Sequence, residues 1–178
     1  FVALCASSGA SATLLGVQIS GCTNSVFGGA VTADPTACDP QAAGFDTTAV
    51  VGAGIEFSID SSRQVDFTGE TVSLIYDAGH ASSSADLFVF TDLVWANMPT
   101  AVITGLELLT TNLIDVTTTF TDSAVGLLVN APLASSGTTT VTYRILTSKT
   151  DVPEPASLAL LGLGLIAGAS SRSIRRRR

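Results

Sequence analysis

Basic residues and histidine are scarce in this chain of 178 residues: His80 is the sole histidine, and 8 Lys and Arg stand against 15 Asp and Glu. One histidine cannot build a multi-histidine metal site. It confines any Ser-His-Asp arrangement to the Gly/Ser loop around Asp77, His80 and Ser82 to Ser84, where the strand-turn-helix Gly-x-Ser-x-Gly elbow is absent. His80 therefore reads as a solvated turn residue, and no residue is assigned a catalytic role. Aromatic surface is equally thin, with one Trp and two Tyr, so platforms for stacking sugar rings are few. Trp95, within an apolar run, reads as core. No Asn-x-Ser/Thr acceptor occurs, so any attached sugar would be linked through oxygen.

The charge is unevenly placed. Five arginines and Glu154 lie in the last 27 residues, which leaves residues 13–151 with 14 acids against Arg63, Arg144 and Lys149, eleven net negative charges. Such a body repels phosphate backbones, so nucleic acid is excluded as a partner, while cations and basic surfaces remain compatible. The carboxylates Asp60, Asp66, Glu70, Asp77, Asp86, Asp92, Glu107, Asp115 and Asp122 read as solvent-facing strand and turn acids. No cofactor is implied. Calcium is the one candidate ion, where Asp34, Asp39 or Asp46, or Asp77 and Asp86, converge with backbone carbonyls, although EF-hand spacing is absent.

The C-terminal segment differs from everything before it. Pro153-Glu154-Pro155 precedes an uncharged stretch, residues 156–171, built on Leu158, Leu160, Leu161, Leu163, Leu165 and Ile166, and Arg172, Arg175, Arg176, Arg177 and Arg178 follow. As a helix the stretch would rise about 24 Å against a hydrocarbon core of about 30 Å, a short membrane span helped by snorkelling arginines. Basic residues flanking a span stay on the cytoplasmic side, which places the body outside the cytoplasm. Both prolines disfavour helix before the span and leave an extended segment open to a processing enzyme.

Motif, apolar span and arginine cluster in this order resemble the PEP-CTERM sorting signal over residues 152–178. The resemblance implies recognition and cleavage by an exosortase, an integral-membrane transpeptidase-like cysteine protease. Pro153, Glu154 and Pro155 would be the sorting motif, the arginines the tail anchor, and the inner membrane a transient partner. It further implies a place on the cell surface or in the exopolysaccharide matrix of biofilm-forming bacteria, and no enzymatic activity. A softer resemblance to small proteins of this kind extends over Ile103-Thr104-Gly105, residues 115–120 and the Thr-x-Val-x-Tyr strand at 139–143. The competing expectation for the tail is an ordinary anchor that is never cut.

Residues 1–12 read as the remnant of a secretory signal peptide, an apolar run followed by small residues and an Ala-x-Ala site ending at Ala12; the alternative is a first strand and turn. Cys5 would leave with the signal. Cys22 and Cys38 would remain, closing a loop of 15 residues, and a disulfide there is the expectation, worth about 3 kcal/mol in the chain-entropy model. A metal pair lacks further ligands nearby, and a redox pair favours Cys-x-x-Cys spacing.

Between the ends the pattern is that of strands. Residues 17–20, 55–60, 65–67 and 140–145 alternate apolar with polar, which puts one face on a core and the other in water. Residues 71–76, 87–95, 101–109 and 125–129 are more continuously apolar and predict strands that are central or covered on both faces. Thr-rich runs at 117–121 and 138–140 suit a pleated surface, and Gly69 and Gly105 mark bends or bulges. Helical periodicity of useful length is absent before the tail. The fold expected for residues 13–151 is an all-β, antiparallel two-sheet β-sandwich, jelly-roll-like, with a Gly/Ala/Pro-rich loop at 28–44, and a C-terminal transmembrane helix follows it.

Two functions fit. One is a non-enzymatic structural or adhesion protein, exported and then processed at its C-terminal signal, that contacts polysaccharide or copies of itself. The other is a secreted carbohydrate-binding module or carbohydrate-active enzyme on the same scaffold, which needs a groove with paired carboxylates and exposed aromatics.

Overall fold

A computed structural model describes residues 12–26, 30–37, 48–77, 85–112, 115–130 and 137–148. The chain divides into two units, Phe1–Ser148 and Lys149–Arg178, and every described residue belongs to the first. That unit is all-β. Its strands are β1 (Gln18–Val26), β2 (Thr48–Val50), β3 (Ile55–Ser58), β4 (Arg63–Phe67), β5 (Thr71–Tyr76), β6 (Ala85–Thr91), β7 (Ile103–Thr111), β8 (Val116–Phe120), β9 (Val125–Val129) and β10 (Thr139–Thr147). One turn of 3-10 helix, Pro35–Ala37, is the sole helical piece among the described residues, so none there is long and apolar enough to cross a membrane. The transmembrane helix expected at 156–171 lies outside the described residues, as do residues 1–11.

The strands form two antiparallel five-stranded sheets. Sheet A has the order β2-β1-β6-β9-β8 and sheet B the order β3-β4-β5-β10-β7. β3, β4 and β5 are a local meander, and β8 and β9 a hairpin. The connections from β5 to β6, β6 to β7, β7 to β8 and β9 to β10 pass from one sheet to the other, the alternation that a jelly roll shares.

In β5 and β10 of sheet B the period-two pattern is obeyed, so residues 71–76 are not covered on both faces as their apolar run suggested, and β7, expected central or covered, is an edge strand exposed over most of its length. Along β5, Val72, Leu74 and Tyr76 are buried while Thr71, Ser73 and Ile75 are half-exposed, and β10 buries Val141, Tyr143 and Ile145 in the same way. These side chains meet the inner face of sheet A in one apolar core. Aromatic rings join the layers: Phe90 of β6 lies 5.0 Å from Phe67 of β4, edge to face, and 5.6 Å from Phe57 of β3. Tyr76 and Phe88 make a second such contact at 6.4 Å. Each fully buried ring contributes roughly 2 to 3 kcal/mol of transfer free energy. Trp95 is buried completely, as its apolar run predicts.

Sheet A departs from alternation for a physical reason. β9 is buried at all five positions and β6 at its five central ones, because both faces are covered. On the outer face Leu87, Val89 and Leu128 form a second small core against Cys22, Val31, Ala37 and Ala85. The segment 30–37 supplies this cover. Its approach is so close that a Cβ added to Gly126 on β9 would lie 2.0 Å from the Thr32 carbonyl oxygen. Glycine is required at 126 by that backbone contact and by no special dihedral angle.

The two flagged glycines fall at irregularities. Gly105 borders one of two register shifts between β7 and β10, and Gly69 lies in the β4-β5 turn, where its carbonyl accepts the Leu14 N–H at 2.7 Å. The sequence alternation misplaces β3. Ile55 was expected inside and Glu56 outside, yet Ile55 is 44% exposed and Glu56 only 9%, because a bulge between Ile55 and Phe57 re-aims the strand.

Gly126→Ala should therefore lift segment 30–37 from sheet A and cost about 2 kcal/mol, as overpacking does. Urea unfolding of the full chain, followed by the fluorescence of Trp95, measures it; an unchanged midpoint would refute the close approach.

Candidate functional site

The charged side chains of the body fall into a few built arrangements, the most buried of which spans the two sheets. Ile59 N–H donates to the Arg63 carbonyl at 3.0 Å and closes the β3-β4 turn. Asp60 organises the turn: its Oδ1 accepts Ser62 N–H at 2.8 Å, the Ser62 hydroxyl at 2.7 Å and Arg63 N–H at 2.8 Å, while Oδ2 receives Arg63 Nε at 2.8 Å. The guanidinium is thereby aimed at sheet A. There Nη1 donates to Asp86 Oδ1 at 3.1 Å, and Asp86, on β6, is only 1% exposed. The Tyr76 hydroxyl donates to Asp86 Oδ2 at 3.3 Å. Burial raises the Asp60 carboxyl, but the hydrogen bonds from Ser62 and Arg63 and the Arg63 charge outweigh it and hold the group down to about 2. Burial also pushes the Tyr76 phenol well above its ordinary range, and the Asp86 charge adds to that.

A second carboxylate pair lies at the β3 bulge. Glu56 Oε1 accepts Gly52 N–H at 2.8 Å and Oε2 accepts Phe67 N–H at 2.5 Å, so the side chain ties the 51–54 loop to the end of β4. Burial raises the Glu56 carboxyl, partly offset by those two N–H groups, and neighbouring Asp66 raises it further. Burial raises Asp66 as well, against a hydrogen bond with Glu56. Glu56 forms a backbone clamp, with Asp66 beside it. Sequence alternation gave no sign of it, since only the bulge brings Glu56 inward.

Among the described residues, several other carboxylates are also engaged. Asp92 holds a left-handed backbone at φ 62° and accepts the Ser20 hydroxyl at 2.6 Å. Glu107 pairs with Arg144 at 3.0 Å on the surface, Asp115 accepts Asn130 Nδ2 at 3.0 Å, and Asp77 accepts the Thr138 hydroxyl at 3.3 Å. The Asp122 and Glu70 carbonyls accept Ile103 and Ile145 N–H groups. Of the calcium candidates, Asp34 caps Thr36, whose N–H and hydroxyl bonds hold its carboxyl below the usual value, and Asp86 is engaged by Arg63 and Tyr76. Asp39 and Asp46 lie outside the described residues, as do His80 and Ser82 to Ser84. Among the described residues no three His, Cys, Asp or Glu side chains gather as metal ligands.

Among the described residues, aromatic side chains do not line the surface as a sugar platform would require. Trp95, Tyr76 and Tyr143, the only Trp and Tyr in the chain, are all buried, and Phe120 is the one exposed aromatic among the described residues.

The C-terminal unit carries an address. A family model described as the PEP-CTERM protein-sorting motif matches residues 151–178. The chain carries a PEP-CTERM sorting motif. Comparison with curated proteins and with solved structures finds no match. The PEP-CTERM match contains Pro153, Glu154, Pro155, Arg172, Arg175, Arg176, Arg177 and Arg178, all outside the described residues. A PEP-CTERM motif signals export, recognition by an exosortase and membrane-associated sorting toward the cell surface.

Two outcomes test the sheet-bridging cluster. Arg63→Met leaves the Asp86 carboxylate buried without its cation and should cost about 3 kcal/mol, most of it recovered by adding Asp86→Asn; urea unfolding of single and double variants decides this, and equal losses in both would refute it. The second concerns pH. Because the folded Asp60 is held at about 2, its contribution is fully present above the unfolded value of about 3.9 and is lost as pH falls through about 2. The stability gap between the native chain and Asp60→Asn should therefore be constant at neutral pH and shrink below about 4, and a gap independent of pH would contradict the assignment.

Proposed function

We propose that the chain is a non-enzymatic structural or adhesion protein of the cell surface or extracellular matrix. It is exported, held by the inner membrane through the apolar stretch at 156–171, cut by an exosortase near Pro153-Glu154-Pro155, and then released or attached outside. The observation that carries this is the sorting-motif match over residues 151–178. The body is suited to such a role: a two-layer all-β scaffold, strongly acidic, several of whose carboxylates tie turns and sheets together and which gathers no metal-ligand cluster among the described residues. Its working contacts are with polysaccharide, with cations such as calcium, or with its own copies. The rival, a carbohydrate-binding module or enzyme, is weakened by the burial of Trp95, Tyr76 and Tyr143, since sugar rings are held on exposed aromatic faces.

An oxidising destination also suits a Cys22–Cys38 bridge. Cys38 is outside the described residues, but the chain just before it is held against β1: Asn24 Nδ2 donates to the Ala37 carbonyl at 2.9 Å, and Ala37 and Cys22 pack on the same small core. The bridge would fasten segment 30–37 over sheet A, where Gly126 admits it.

Mass spectrometry of the chain recovered from cell surface and medium tests the processing. The mature C-terminus should fall before Arg172, and Pro153→Ala with Glu154→Ala and Pro155→Ala should leave the arginines attached and the chain in the membrane. A native product that retains Arg178 would overturn exosortase cleavage.

A further inference from the structure

The four sheet edges of the body are not equally defended. At one side, β2 has three residues, and β3 has four with the bulge at Glu56. At the other side, β7 is interrupted by two register shifts and carries Glu107. Shortness, bulges and charge are the devices that keep an edge from pairing with another chain. β8 has no bulge and no charge within its five residues. Val116-Thr117-Thr118-Thr119-Phe120 contains no charge and no proline, and its register with β9 runs uninterrupted from Val116↔Val129 to Phe120↔Val125. Among the described residues no strand pairs with its outer side.

We propose that β8 is a self-association edge whose partner is β8 of a second copy. The five residues are self-complementary in antiparallel register. Centred on Thr118, pairing sets Thr118 against Thr118, Thr117 against Thr119 and Val116 against Phe120 of the other copy. Paired residues share a face, so the apolar Val116 and Phe120 both fall on the core side and the threonines on the same sides as their partners. About a two-fold axis residue i of one copy meets j of the other and j meets i, and on β8 the two members of every such pair are alike in polarity.

Exposure at this side fits the same occupant. Phe120 is 42% exposed although it faces inward with Val125, and Leu108 on the neighbouring edge, β7, is 49% exposed although it faces inward with Tyr143. Joining two copies edge to edge continues sheet A through the two-fold axis and covers Phe120 with Val116 of the second copy. The contact is small, so the dimer is a weak one that gains from high local concentration at a surface. It gives the structural role of the body a defined partner and rests on that role, while delivery and cleavage at the C-terminal motif are unaffected if it fails.

Sedimentation velocity on the full chain in a mild detergent tests the edge. The native chain should show a concentration-dependent monomer-dimer equilibrium. Thr117→Lys, at an exposed position of β8, should weaken it by about tenfold or more while the Trp95 fluorescence of the folded chain is unchanged. Mild oxidation should link Thr118→Cys into covalent dimers well beyond Thr117→Cys, whose sulfurs are displaced from the axis. A native chain that stays monomeric at millimolar concentration, a Thr117→Lys chain that associates like the native one, or equal cross-linking at 117 and 118 would each overturn the proposal.

Discussion

The carboxylate of Asp86 is the constraint around which the body is arranged. A charge buried to 1% exposure on a strand with both faces covered cannot be left without a cation, since the desolvation of an unpaired ion costs several kcal/mol. The cation comes from the opposite sheet. Arg63 stands at the first position of β4, and it can reach Asp86 only if the β3-β4 turn places and orients it, which Asp60 does through three hydrogen bonds to the turn and one to the guanidinium. Tyr76, paired with Arg63 across β4 and β5, completes the set with its hydroxyl. One charge on sheet A thus dictates a turn, a register and a tyrosine on sheet B. The aromatic contacts of Phe57, Phe67 and Phe90 add apolar attraction between the layers, but apolar attraction is non-directional and tolerates sliding, and the ion pair does not.

Much of this architecture was legible in the residues. Alternation marked β10, and continuous apolar runs marked β6 and β9 as strands either central or covered on both faces, but the same reading failed for residues 71–76 and 101–109, since β5 alternates buried with half-exposed positions and β7 is an exposed edge strand. The identity of the cover was not legible. Segment 30–37 has no periodicity, and its place over Gly126 depends on a close backbone approach that a missing Cβ permits but does not announce. Glu56 was misread for a related cause: a bulge adds one residue to one strand, reverses the facing of Ile55 and leaves composition unchanged. Asp60 and Asp86, grouped in sequence with solvent-facing acids, prove to be a turn organiser and a buried ion, since charge alone does not distinguish a carboxylate with a distant cation from one in water.

The sorting motif was legible for the opposite reason. Its information lies in local order, a Pro-Glu-Pro, an uncharged apolar stretch and an arginine cluster, and a processing enzyme at a membrane reads linear sequence without a folded partner. The body ends firmly before it. Ser148 is tied at both its N–H and its hydroxyl to Val102, at 2.8 Å and 3.1 Å, so β10 is anchored against the approach to β7 up to the last described residue. Handling of the tail can therefore proceed without unravelling the last strand of sheet B.

Eleven net negative charges and a self-pairing edge pull in opposite directions, and their ranges decide the balance. At physiological ionic strength the Debye length is about 8 Å, so charges spread over a body this size repel only where surfaces come close. β8 is the place where closeness is least penalised, because its five residues are neutral and Glu107 on the adjacent edge already has Arg144 beside it. The nearest acids, Asp115 and Asp122, bracket the strand, and in the register centred on Thr118 each lies beside the other's counterpart in the second copy. Repulsion is then concentrated at the two ends of the contact, where solvent and salt screen it, and backbone hydrogen bonds form in the uncharged middle. An acidic protein of this kind stays soluble as separate copies in dilute solution of low ionic strength and pairs where salt, cations and crowding at a surface remove the end repulsion.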